Sequence, residues 1–125
     1  MTASFRYNPS ERDEYGYIPD YEKTWVCFTM TVKKAPDEQA AIDAMEFVEW
    51  YLYYESDMPC ALEKYVKCEN GVYTDILIFC RDKSMSKGTQ VKELQNALKT
   101  AKAALYKDLF VAMPPFILAA TKGAA

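Results

Sequence analysis

Asn70-Gly71 stands between two β-type runs, Leu62–Glu69 and Val72–Arg81, and restricts the fold more than any other feature of the chain. A type I′ turn needs positive φ at both central residues, and Asn followed by Gly supplies it with little strain. A two-residue loop would set Cys68 opposite Tyr73, Val66 opposite Asp75, Lys64 opposite Leu77 and Leu62 opposite Phe79. One face of the predicted hairpin carries Leu62, Val66, Cys68, Tyr73, Leu77 and Phe79. The other carries Tyr65, Val72, Thr74, Ile76, Ile78 and Cys80, diluted by Glu63, Lys67 and Glu69. Lys64 and Asp75 are misfits on the apolar face.

The flanking segments complete a pattern. Thr24–Lys33 alternates strictly, with Val26, Phe28, Met30 and Val32 on one side and Trp25, Cys27, Thr29 and Thr31 on the other. Ala35-Pro36-Asp37-Glu38 reads as a helix start with Pro at the first helical position, and the helix runs to about Glu55, before Pro59. A second helix, capped by Thr89, carries Val91, Leu94, Leu98, Ala101 and Leu105 at helical spacing to about Phe110. Met113-Pro114-Pro115 breaks it, and Phe116–Thr121 reads as a short last strand.

The expected order is βαββαβ: a ferredoxin-like α+β plan with an antiparallel sheet, two helices on one face, and the first and third strands central. The 125 residues, half of them hydrophobic, suffice for one such domain. Residues 1–23 form an N-terminal arm, 24–121 the domain and 122–125 a tail. The arm is Pro-punctuated and carries Tyr7, Tyr15, Tyr17 and Tyr21 without strand or helical period.

Several function classes fall away. No apolar run approaches the ~18–20 residues of a membrane span, and the N-terminus has neither a basic nor an apolar signal region. A cytoplasmic protein with no membrane contact is the expectation. His is absent, which removes His-based catalysis and His metal ligands. Cys27, Cys60, Cys68 and Cys80 show no C-x-x-C pairing, so they read as free thiols in a reducing compartment, with no metal and no cofactor. The glycines of a phosphate-binding loop are missing around Lys87-Gly88. An RNA-recognition sheet would stack bases on aromatics where this hairpin offers Val72, Thr74 and Ile76. With no nucleophile–base pair, the chain reads as a non-enzyme.

The charge distribution is uneven despite a net charge of only −3. Pro36 to Pro59 holds Asp37, Glu38, Asp43, Glu46, Glu49, Glu55 and Asp57 and no base, whereas Arg81 to Lys107 holds seven bases against Asp82 and Glu93. On the first helix, Ala41, Met45, Val48 and Leu52 form the core stripe. The opposite side carries Phe47, Trp50, Tyr53 and Tyr54 interleaved with Asp43 and Glu46, where an outward face should be polar. Trp and Tyr there suit a protein interface.

The leading expectation is therefore a small interaction module (inhibitor, adaptor or assembly factor) that binds a partner with a basic surface. Small phage-encoded inhibitors, viral accessory proteins, provide the analogy. The alternative is a homodimeric α+β barrel that binds a small molecule, with or without catalysis, lined by Trp25, Cys27, Tyr65, Asp75, Ile76 and Ile78. A weaker alternative is nucleic-acid contact along Lys87, Lys92, Lys99 and Lys102.

Overall fold

Thr2–Asn8 is a strand, β1, where the sequence predicts an irregular arm. It pairs antiparallel with β2 (Trp25–Lys33), from Thr2 opposite Lys33 to Asn8 opposite Cys27. Ala3, Phe5 and Tyr7 stand beside Val32, Met30 and Phe28, so the segment adds apolar side chains to the core and satisfies backbone groups along one side of β2. A computed structural model describes residues 1–9, 25–63, 66–67 and 69–111. After β2 come α1 (Glu38–Tyr54), β3 (Cys60–Leu62), β4 (Val66–Lys67), β5 (Tyr73–Cys80) and α2 (Lys87–Leu105). The helix then widens into a π-helical turn over Tyr106–Val111.

The protein is α+β, with one antiparallel sheet and two helices. The sheet order is β1-β2-β5-β3, and β4 pairs farther along β5. The two central strands are those expected to be central. The βαββαβ order is not matched, because β1 fills the position beside β2 that this plan gives to its last strand. The expected strand Phe116–Thr121 lies outside the described residues.

The hairpin register also differs. Leu62 faces Leu77 rather than Phe79, and Val66 faces Thr74 rather than Asp75. Leu62 and Val66 are four positions apart in the chain while their partners Leu77 and Thr74 are three apart, so the two paired stretches are offset from one another by one residue. Asn70 and Gly71 do adopt positive φ, 61° and 71°. Among the described residues the last pair is Lys67 with Tyr73, a register one position away from that of the two-residue loop.

Val26, Phe28, Met30 and Val32 of β2 and Leu77 and Phe79 of β5 are buried against Ala41, Ala44, Met45, Val48 and Leu52 of α1 and Leu94, Leu98, Ala101 and Leu105 of α2. Phe28 meets Phe79 edge to face at 6.0 Å and Tyr7 at 5.5 Å.

Two helix starts fall elsewhere than predicted. Asp37, not Pro36, opens α1, its Oδ1 accepting the Ala40 N–H at 2.8 Å. Ser86 rather than Thr89 caps α2, its Oγ accepting the Thr89 N–H at 3.2 Å and donating to Thr89 Oγ1 at 2.8 Å. A short side-chain acceptor three residues before a free N–H defines the cap, and Thr89 supplies that N–H. At the other end of α1, Asp57 takes φ 52° and the Met58 N–H bonds back to the Leu52 carbonyl at 2.9 Å, which turns the chain toward β3.

The loop from β5 to α2 is closed by polar side chains. Buried Gln90 accepts on Oε1 from Arg81 Nη1 and from the Asp82 N–H, both at 2.9 Å. Arg81 Nη2 donates to the Met85 carbonyl at 3.0 Å, and its Nη1 also donates to the Asp82 carbonyl. Hydrogen bonds from the Ser84 hydroxyl and N–H hold the exposed Asp82 carboxyl below its usual range.

Candidate interaction site on the first helix

Burying one stripe of α1 fixes what the opposite side must show. With Val48 and Leu52 turned to the core, 100° per residue carries Trp50, Tyr53 and Tyr54 outward. Their exposures are 49%, 56% and 67%, in a segment without a single basic residue. Glu46 and Asp43 are exposed one and two turns before Trp50, with Asp43 Oδ1 accepting from Gln39 Nε2 at 2.8 Å.

The aromatic rings touch in series. Phe47 lies 5.8 Å from Trp50, Trp50 lies 5.9 Å from Tyr54, and Tyr54 meets Tyr53 edge-on at 4.7 Å. Phe47 and Tyr51 are half-buried against the core and stack at 6.2 Å. The strip therefore has a rooted end and a free end. Rings already in mutual contact lose little rotamer freedom on binding. All six residues predicted for this site (Asp43, Glu46, Phe47, Trp50, Tyr53, Tyr54) lie on this exposed side or its margin. Tyr51 was missed; its spacing of four from Phe47 is the signal that places it beside that ring.

The sheet-face residues divide. Trp25, Cys27, Ile76 and Ile78 share the face away from the helices, with Trp25 42% exposed. Asp75 does not join them. It is buried on the helix-facing side between Tyr73 and Leu77, its Oδ1 accepting the Ile76 N–H at 2.7 Å, because side chains alternate along β5. Tyr65 lies outside the described residues, as do Lys64 and Cys68. Cys27, Cys60 and Cys80 are free thiols. Burial, with the carboxylates of Glu49 and Asp75 adding to it, pushes the Cys60 thiol up to about 12.

The four basic-flank lysines are spread along α2 in two pairs. Lys87 and Lys92 line one pocket between β1 and α2, and Lys99 and Lys102 line another, with Tyr7 and Gln95 on the rim of each. Lys102 Nζ also sits 5.6 Å over the Tyr106 ring, whose hydroxyl accepts the Ala3 N–H at 3.0 Å. Among the described residues, no cluster of Cys, Asp and Glu could hold a metal ion, and no helix is long and apolar enough to cross a membrane.

No family model, curated protein or solved structure matches this chain.

Proposed function

We propose that the protein is a small interaction module that captures a basic partner through the acidic-aromatic side of α1. The observation behind this is the exposed ring series Trp50–Tyr54–Tyr53, rooted on half-buried Phe47, which borders Asp43 and Glu46 in a segment without bases. Arginine and lysine side chains suit both halves of such a surface. Their charge faces the carboxylates, and their planes or stems lie on the rings. The role is that of an inhibitor, adaptor or assembly factor, with no chemistry of its own.

Trp25→Phe leaves Trp50 as the single tryptophan and hence the single strong fluorophore. Titration of this variant with an arginine-rich peptide is expected to change Trp50 emission saturably and to weaken as salt rises. Asp43→Asn with Glu46→Gln should raise the apparent Kd about tenfold, as the loss of two charge contacts implies. A glutamate-rich peptide should do nothing. Equal responses to both peptides, or no loss in the neutralised variant, would rule out this surface.

A further inference from the structure

The face of the sheet turned away from the helices carries its charges in a self-complementary order. Arg6 pairs with Thr29 and Thr29 with Ile76 in the strand register, while the Glu63 N–H donates to the Ile76 carbonyl at 3.0 Å. Arg6, Thr29, Ile76 and Glu63 therefore form one row straight across the sheet. An exposed cation stands at the β1 edge and an exposed anion at the β3 edge. On one side of this row, toward Trp25, the face is largely apolar, whereas the row on its other side, Ser4, Thr31 and Thr74, is polar. The adjoining row runs Asn8, Cys27, Ile78, Ala61, and the next pairs Trp25 with Cys80.

We propose that a second copy of this chain covers this face, the two sheets packing face to face about a two-fold axis that runs along the strands. Such an axis exchanges left and right edges while keeping each row at its own height. Arg6 of one copy then lies over Glu63 of the other, and the same pair forms a second time by symmetry. Four strands at ~4.8 Å put the two edges about 14 Å apart, and the ~30° rotation between aligned sheets moves an edge residue by only about 4 Å. That offset can be taken up by an arginine and a glutamate side chain reaching toward each other across sheets packed ~10 Å apart. The apolar centre meets itself, with Cys27 and Ile78 exchanging places across the axis.

A second observation places Glu63 on this face. Its carboxylate, after burial, is the cause that pushes the Cys27 thiol upward, and Cys27 stands on the side away from the helices. Arg6 is placed there by alternation, since its neighbours Phe5 and Tyr7 pack against the core. The α1 site plays no part in this contact, so the two proposals stand or fall separately.

Light scattering of the full chain from 1 to 200 µM is expected to show a dimer. Arg6→Glu alone and Glu63→Arg alone should each weaken dimerisation at least about tenfold, since each sets two like-charge pairs against one another. The double variant Arg6→Glu/Glu63→Arg should return to within about threefold of the wild type, because both pairs are re-formed with reversed sign. Both positions are exposed, so thermal melts of the variants should overlay that of the wild type. A monomer at every concentration would leave the face to another occupant and overturn the proposal. A dimer indifferent to both single reversals would overturn it too, since self-association would then use a different surface.

Discussion

Gln90, buried at the start of α2, donates from Nε2 to the Cys80 carbonyl at 2.8 Å and so ties the end of β5 to the helix that follows it. Its Oε1 takes two further donors, from Arg81 and Asp82, so one amide satisfies groups on both sides of the loop. Gln90→Leu keeps the volume and leaves the Cys80 carbonyl and the Asp82 N–H without this partner. A loss of about 2–3 kcal/mol in urea unfolding is expected, the cost of buried groups left unmade. Gln90→Glu keeps the acceptor and loses only the donor, and should fall between Leu and the wild type.

Leu52 and Trp50 lie two residues apart on α1 with opposite roles. Leu52 is fully buried and Trp50 is half exposed. Leu52→Ala should cost about 2–5 kcal/mol, the range for a buried leucine truncated in a packed core. Trp50→Ala removes a half-exposed ring and its contacts with Phe47 and Tyr54 and should cost about 1 kcal/mol or less. Unfolding curves of both variants measure the contrast. A fold that depends little on Trp50 leaves that side chain free for a partner.

The cysteines should react in order of burial and charge. With iodoacetamide at pH 8, Cys80, which is exposed, should label ahead of Cys27, and Cys60 last. Peptide mass spectrometry gives the rates. The raised Cys60 value also sets a direction for alkaline stability. The unfolded thiol loses its proton near 9.0 and the folded one only near about 12, so above 9.0 the unfolded state binds fewer protons. Stability supplied by the neutral buried thiol is complete below 9.0 and falls as pH rises through about 12. Cys60→Ala should flatten that decline in melts recorded from pH 8 upward.

Much of the fold is legible in local pattern. Alternation at Val26–Val32 and at Leu77–Phe79, and the i, i+3, i+4 stripes of both helices, identify the buried side chains because one face of each element must leave water. The aromatic series on α1 is legible for the same reason. Once Val48 and Leu52 are assigned to the core, helical geometry leaves Trp50 and Tyr54 nowhere but outside. Thr2–Asn8 shows the weakness of pattern alone. Its alternation of Ala3, Phe5 and Tyr7 with Ser4, Arg6 and Asn8 is real but short, and the neighbouring tyrosines and prolines obscure it.

By itself the sequence determined the buried stripes of β2 and of the two helices, where chain reversal needs positive φ at Asn70 and Gly71, and which helix carries acids and which bases. These follow from periodicity, from the sterics of φ and from charge, all properties of neighbouring residues. Tertiary structure alone decided that β1 flanks β2 and that Leu62 stands opposite Leu77. It also aligned Arg6 with Glu63 across four strands. Those outcomes depend on hydrogen bonds between residues distant in the chain, where shifting a strand by one position reverses the face of every side chain it carries.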